Sequence, residues 1–141
     1  MERKATALWE GDLKGGKGKV KLGTGAFEGP YSFKSRFEGN DETNPEELIG
    51  AAHAGCFSMA LTAALIKAGF EPKRVKTDAK VFLDRVNEIF NISKVDLTTE
   101  AEVPKIGETK FLELAEAARK DCIVSKALTG VNTTLSAKLV G

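Results

Sequence analysis

Alternating apolar and polar positions predict β-strands in the first forty residues. Two short strands are expected over residues 6–9 and 18–22, the second after a glycine-rich turn. Residues 31–38 alternate with a clear period of two and predict a further strand. Its inward face would carry Tyr31, Phe33, Ser35 and Phe37, and its outward face Ser32, Lys34, Arg36 and Glu38.

A long helix is predicted next, because residues 48–66 run LIGAAHAGCFSMALTAALI without a formal charge. Asn44 suits the N-cap, Pro45 the first helical position and Glu47 the third, an arrangement close to a capping box. Gly69 suits the helix stop. About two dozen residues give a rod of about 36 Å, which suits the central element of a small protein.

The same uncharged segment is long enough to cross a membrane. Its many alanines and glycines, the polar residues His53, Ser58 and Thr62, and the missing Trp or Tyr at its ends argue against a span. A helix buried on most of its faces inside a soluble protein is the favoured interpretation.

The second half of the chain returns to strands. Residues 75–84 and 94–103 alternate and predict a long hairpin, half buried and half solvated. Residues 111–118 predict an amphipathic helix, Asp121 could cap a short helix reaching Leu128, and residues 135–139 suit a final strand. This order of elements predicts an α+β fold in a single domain over residues 1–141.

Composition narrows the class of protein. The 141 residues are 42% hydrophobic and carry 21 basic against 20 acidic side chains, a net charge of +1. This balance argues against a nucleic-acid-binding tail or a polybasic membrane patch. Two cysteines are too few for a disulfide scaffold, and the first residues lack an export signal. A cytoplasmic protein with reduced thiols is expected.

Cys56 and Cys122 are the candidate reactive groups. In mid-helix, Cys56 could simply be a small apolar core residue. Cys122 near a helix start is more suggestive, because the helix dipole favours a thiolate. Their 66-residue spacing is not a CxxC motif, so whether the two sulfurs meet stays open.

His53, the only histidine, shares a helical face with Cys56. A zinc site usually takes four ligands, and His53 with the two cysteines supplies three. A Cys–His nucleophile is geometrically possible, but a packing or hydrogen-bonding role is the simpler interpretation. No metal is predicted. Arg36 and Glu47 could each be merely solvated, Glu47 as a capping carboxylate.

Residues 43–61, TNPEELIGAAHAGCFSMAL, resemble the osmotically inducible protein C (OsmC) and organic hydroperoxide resistance (Ohr) superfamily. The similarity extends to residues 7–20, residues 30–39 and the region of Cys122. The helix motif is more similar to the OsmC branch. One departure is Ile123, where many relatives have proline.

The resemblance implies a thiol peroxidase that reduces organic hydroperoxides and, less well, hydrogen peroxide. It assigns Cys56 as the peroxidatic cysteine and Cys122 as the resolving cysteine. It makes Arg36 the activator of the thiolate and Glu47 the carboxylate that holds Arg36. It implies no prosthetic group, and an external dithiol reductant for which a lipoyl protein is the family-based candidate.

The resemblance also implies a fold with antiparallel sheets around the long helix, in an intertwined homodimer with active sites at the interface. Helix geometry supports a composite site. Glu47 and Cys56 are nine residues apart, so they point about 180° from each other and lie about 13.5 Å apart along one helix. Glu47 of one chain is therefore expected to complete the site of its partner.

Two other functions stay open at this point. A stress-linked binding protein could keep the family fold and use a groove in it to bind an apolar ligand without catalysis. A Cys–His acyl transferase or hydrolase lacks an evident third orienting residue. Phe57 and Met59 suit an apolar entrance to the thiol, and either could equally belong to the core.

Overall fold

The computed structural model describes residues 1–141, which divide into two compact units, Met1–Leu48 and Ile49–Gly141. The first unit contains an antiparallel sheet of β1 (Ala5–Glu10), β2 (Lys17–Leu22) and β3 (Glu28–Tyr31) in the order β1-β2-β3. Gly18 lies beneath the rings of Trp9 and Tyr31, whose centroids are 5.5 Å apart. A side chain at Gly18 would clash with both rings, so the aromatic pair requires glycine there.

The strand predicted over residues 31–38 is wrong after Tyr31, because residues Phe33–Phe37 form a short helix, α1. Ser32 and Ser35 start it with a reciprocal capping box. The Ser35 N–H donates to Ser32 Oγ at 3.1 Å, and the Ser32 N–H donates to Ser35 Oγ at 2.9 Å. Phe33 and Phe37, one helical turn apart, bring their ring centroids within 4.9 Å. The two capping hydrogen bonds stabilise a helix here, although the alternation of apolar and polar residues favours a strand.

The predicted long helix is confirmed as α2 (Pro45–Lys67). The Glu47 N–H donates to Asn44 Oδ1 at 2.7 Å, as an N-cap requires. Gly69 ends the helix at φ +92°, with the Phe70 N–H donating to the Leu65 carbonyl at 3.0 Å. The boundary between the two units falls within α2, and the single domain over residues 1–141 stays a prediction.

The second unit holds the sheet β4-β5-β6. Strands β4 (Arg74–Val86) and β5 (Ile89–Glu102) form the predicted antiparallel hairpin, and β6 (Asn132–Val140) pairs with β5 in parallel. Antiparallel sheets were expected from the family resemblance, and the parallel β5–β6 pair departs from that expectation. Helices α3 (Glu108–Asp121) and α4 (Ile123–Ala127) form the connection from β5 to β6. That crossover brings the chain back to the start of β5, so β6 runs in the same direction.

One face of α2 packs in the core of the second unit. Phe57, Leu61 and Leu65 are fully buried and follow the spacing of one helical face. They pack with buried residues of β5, of the segment that follows it and of α3, namely Val95, Leu97, Ala101, Val103, Phe111, Ala115 and Ala118.

The opposite face of α2 is exposed in the single chain, and its exposed residues are Ala52, Gly55, Met59, Ala63 and Ile66. The prediction of a helix buried on most of its faces is therefore wrong for the single chain. By length and composition alone, α2 also qualifies as a membrane-crossing helix, with a mean hydropathy of 1.6.

Candidate functional site

The two cysteines meet in the second unit, which answers the question that their spacing left open. Both are free thiols, and each side chain is a hydrogen-bonding neighbour of the other. Cys56 projects from α2 and is partly exposed, whereas Cys122 is only 1% exposed. Residues 66 positions apart in the sequence thus form one dithiol site.

Cys122 itself, not Asp121, is the residue that joins the two helices. It has the non-helical torsions φ −54° and ψ 124° as the C-cap of α3 and the N-cap of α4. Its N–H donates to the Ala118 carbonyl at 2.9 Å, and its carbonyl accepts from the Lys126 N–H at 3.0 Å. Both helices therefore hold the backbone of Cys122 in place.

The environment shifts the two thiol pKa values in opposite directions. Burial raises the pKa of Cys56, and the contact with Cys122 raises it further, against the opposing effect of the Val124 and Ile123 N–H groups. Burial also acts to raise the pKa of Cys122. Hydrogen bonds from the Ser125 backbone, the Cys56 thiol, the Ser125 side chain and the Val124 backbone outweigh it, so the pKa of Cys122 is lowered. The helix start therefore favours the Cys122 thiolate, as predicted.

The thiols lie in an apolar groove of about 590 Å³. Its other lining residues are Met59, Ala60, Ala63, Ala64, Lys67, Ala118, Asp121 and Ile123. Met59 is 76% exposed and lines the groove, whereas Phe57 is fully buried in the core. Of the two residues proposed for an apolar entrance to the thiol, only Met59 therefore lies at the groove.

His53 is completely buried, and its Nε2 lies 2.7 Å from Ser125 Oγ, 72 residues away in the sequence. Its Nδ1 has no hydrogen-bond partner. Burial lowers the pKa of His53, which favours the neutral imidazole. No group of three or more His, Cys, Asp or Glu side chains is arranged to hold a metal ion. The structure thus pairs His53 with a serine that sequence reasoning missed, three residues after Cys122.

Arg36 belongs to the first unit, where its carboxylate partner is Glu46 and not the expected Glu47. Arg36 Nε donates to Glu46 Oε1 at 3.0 Å, and Nη2 lies 2.9 Å from the same oxygen. Glu46 is only 6% exposed. Glu47 is exposed, and its carboxylate has a single long contact, 3.5 Å from Thr43 Oγ1. Helical spacing could have singled out Glu46 from the sequence. Glu46 lies on the same buried face of α2 as Gly50 and His53, whereas Glu47 does not.

Aromatic side chains surround Arg36 within the first unit. A pocket of about 180 Å³ is lined by Trp9, Leu13, Tyr31, Ser32, Phe33, Arg36 and Phe37. The Arg36 guanidinium lies 5.4 Å from the Phe37 ring centroid. Because Nε and Nη2 serve Glu46, Nη1 can donate to a further acceptor.

An α+β fold with two reduced, contacting thiols in an apolar groove defines a dithiol protein suited to thiol–disulfide chemistry. The sequence profile described as OsmC-like protein matches residues 38–136. The protein named Peroxiredoxin OsmC of Escherichia coli strain K12 is 48% identical over 129 residues, covering 91% of this chain and 90% of that protein. This chain belongs to the OsmC family, as the sequence motif predicts.

Other relatives agree with this assignment. An "Organic hydroperoxide resistance protein-like" chain of Mycoplasma genitalium is 31% identical over 121 residues, covering 84% of this chain and 83% of that protein. A solved OsmC-like protein from Mycoplasma pneumoniae has a TM-score of 0.77 at 14% identity, covering 100% of this chain and 99% of that one. An organic hydroperoxide resistance protein from Elizabethkingia anophelis has a TM-score of 0.72 at 24% identity, with 100% and 98% coverage. These structures confirm the OsmC-like α+β fold.

Proposed function

We propose that this protein is a peroxiredoxin-like hydroperoxide reductase that uses Cys56 and Cys122 to reduce organic hydroperoxides. A peroxidase role is supported by the 48% identity to a protein named Peroxiredoxin OsmC. The observation that carries the two-cysteine mechanism is the contact between the two thiols in one groove. The apolar lining supports an organic hydroperoxide as the preferred substrate over hydrogen peroxide.

Exposure supports the division of roles between the cysteines. Cys56 is the more accessible sulfur, so it attacks the distal peroxide oxygen, releases the alcohol and becomes a sulfenic acid. Cys122, buried and in contact with it, then forms the disulfide and releases water. An external dithiol regenerates both thiols by exchange. A lipoyl protein stays the candidate reductant, and the cytoplasm the expected location.

Arg36 is proposed to activate Cys56. Burial and Cys122 raise the pKa of Cys56, so a cation must offset both effects to give a thiolate at neutral pH. A guanidinium favours the thiolate and donates to the peroxide oxygen on which charge develops. Glu46 fixes one edge of Arg36 and leaves Nη1 for that task.

A homodimer is supported by the exposed apolar face of α2. Met59 is 76% and Ile66 60% exposed, on a stripe otherwise made of alanine and glycine that another backbone can approach closely. Cys56 lies about 60° from the centre of this stripe around the helix axis. The hairpin end adds Val86, Ile89 and Phe90, each about half exposed or more. A second copy covering these surfaces would place the thiols beside the interface.

Glu47 is proposed to act across this interface. Helix α2 is continuous from Pro45 to Lys67, as the argument from helix geometry requires. Glu47 is exposed and weakly bonded in the single chain, so its carboxylate is free to reach an arginine of the partner. Glu46 holds Arg36 from within the chain, and Glu47 would add a second anchor from the other chain.

Peroxide turnover by cysteine variants tests the proposal. Wild type should consume cumene hydroperoxide with a dithiol reductant, and mass spectrometry after peroxide treatment should find a Cys56–Cys122 linkage. Cys56→Ser should lose turnover while staying folded. Cys122→Ser should react once and then accumulate sulfinic acid at Cys56 in excess peroxide. Unchanged turnover in Cys56→Ser would overturn the assignment of Cys56, whereas no peroxide turnover by wild type would leave an apolar-ligand-binding role for the groove.

A further inference from the structure

A chain of polar contacts leads from the buried histidine to the resolving thiol. His53 Nε2 lies 2.7 Å from Ser125 Oγ, and the Ser125 side chain is in turn a hydrogen-bonding neighbour of Cys122. Cys122 contacts Cys56. His53 and Cys56 of α2, Cys122 at the junction before α4, and Ser125 of α4 therefore form one continuous polar path. His53 is fully buried and has no other hydrogen bond.

The hydrogen positions along this path follow from the number of donors. A serine hydroxyl has one hydrogen to donate. If it donates to the Cys122 thiolate, Ser125 Oγ must accept from His53, which therefore carries its proton on Nε2. Nδ1 is then a bare lone pair, and its lack of a partner does not leave a buried N–H unpaired. Neutral His53, favoured by burial, supplies this tautomer.

We propose that His53 is a positioning residue for the resolving step, holding the Ser125 hydroxyl in the orientation that donates to the Cys122 sulfur. The inference rests on the proposed role of Cys122 as resolving cysteine. His53 does not touch the peroxide and takes no proton from Cys56. It acts only through Ser125, by removing the freedom of that hydroxyl to rotate away.

The step that benefits is disulfide formation. The Cys122 thiolate attacks the Cys56 sulfur of the sulfenic acid, the S–S bond forms and the S–O bond breaks. Hydroxide leaves with the bonding electron pair and takes up one proton, equivalent to the proton that Cys122 released on ionising. Both sulfurs end at the disulfide oxidation level. A hydroxyl aimed at Cys122 raises the fraction of thiolate and so speeds this attack.

Other charged groups surround this path. Lys67 of α2 and Asp121 of α3 line the groove with both thiols. Arg119, Lys120 and Lys126 line the depression that contains Ser125, and Arg119 is paired there with Glu116. The substitutions proposed below leave all of these side chains in place, so wild type and variants differ only at His53 or Ser125.

Reduced and oxidised proteins separate this role from a purely structural one. In the reduced protein, iodoacetamide alkylation of Cys122 is followed against pH by mass spectrometry for wild type, His53→Leu, His53→Gln and Ser125→Ala. In single turnover with one equivalent of cumene hydroperoxide, sulfenic acid trapping by dimedone and disulfide formation are timed separately. Thermal unfolding identifies any variant that fails to fold.

His53→Leu and Ser125→Ala are expected to move Cys122 alkylation to higher pH and to slow disulfide formation about three- to tenfold relative to Cys56 oxidation. His53→Gln keeps a hydrogen-bond donor toward Ser125, so its Cys122 alkylation profile and its rate of disulfide formation should be close to those of wild type. Ser125→Ala keeps the test valid if His53→Leu does not fold. Wild-type alkylation and disulfide rates in folded Ser125→Ala would overturn the inference. If wild type itself forms no sulfenic acid, the proposed function fails. The alkylation profile of Cys122 still tests separately whether the Ser125 hydroxyl donates to the Cys122 sulfur.

Discussion

The Arg36 guanidinium is bound to Glu46, with Nε and Nη2 at 3.0 and 2.9 Å from the same carboxylate oxygen. The adjacent Glu47 points elsewhere and has only a 3.5 Å contact with Thr43. Two neighbouring glutamates thus have different surroundings, since Glu46 is 6% exposed and Glu47 is exposed. They should respond differently to the same substitution.

Glu46→Gln is expected to destabilise the protein by about 1–2 kcal/mol, because the charge-assisted hydrogen bonds of a buried carboxylate to the partly exposed Arg36 are weakened. The matched variant Glu47→Gln should change stability by less than about 0.5 kcal/mol, as an exposed residue does. Urea unfolding at fixed protein concentration measures both. Equal losses in the two variants would contradict the pairing of Arg36 with Glu46.

Glu47→Gln should nevertheless lose peroxidase activity if Glu47 completes the partner's site. Mixing it with Cys56→Ser tests this directly. In a heterodimer, Cys56 of the first chain meets Glu47 of the second, so one of the two sites is intact. Activity should therefore appear in the mixture although each homodimer is inactive. Size-exclusion chromatography confirms that dimers form, and a mixture as inactive as its parents would exclude a site shared in this way.

Cys122→Ala should make Cys56 ionise more easily. The contact with Cys122 raises the pKa of Cys56, so its removal leaves burial as the main opposing effect. Iodoacetamide should then alkylate Cys56 faster at neutral pH than in wild type, by a few-fold. Ile123→Ala, an exposed neighbour, serves as the control. Slower alkylation of Cys56 in Cys122→Ala would contradict the conclusion that the contact with Cys122 raises the pKa of Cys56.

His53 should make the fold sensitive to acid. In the unfolded chain its pKa is about 6.5, whereas burial lowers its pKa in the folded chain. Above that pH both states are neutral and the stabilisation is complete. Below it, the unfolded chain binds a proton that the folded chain does not, so stability falls as the pH falls, by at most about 1.4 kcal/mol per unit.

His53→Gln keeps a donor but does not titrate, so its stability should depend less on pH. Urea midpoints at pH 5.5 and 7.5, at one protein concentration, compare the two proteins. No other histidine contributes in this range, because His53 is the only one. Parallel pH profiles for wild type and His53→Gln would show that His53 protonates equally well in the folded chain.

Capping residues near each end of a helix were enough to predict where α2 begins and ends. Asn44 and Gly69 cap α2 as expected, since each cap acts on backbone groups of the same turn. The same reasoning failed at residues 33–37, where Phe33 and Phe37 fit both a period of two and a helical turn. There the Ser32–Ser35 capping box decided for the helix.

The sequence predicted most of the residues of the candidate site, but it did not predict which of them contact each other. The OsmC motif and the two cysteines were evident from the sequence, and so was the lowered pKa expected at a helix start. Glu46 and Ser125 were missed. Glu46 differs from Glu47 only in burial, and Ser125 gains its meaning from His53, 72 residues away.

The sequence was enough to predict the family, the long α2 helix with its caps and the long hairpin, and it offered Cys56 and Cys122 as candidate reactive thiols. These features depend on periodicity, capping and a contiguous motif, all of which act over short stretches of chain. Tertiary structure alone decided that Cys56 meets Cys122, that Arg36 binds Glu46 and that β6 runs parallel to β5. Each of these needs two distant segments to be brought together, and their relative position depends on packing of the whole core.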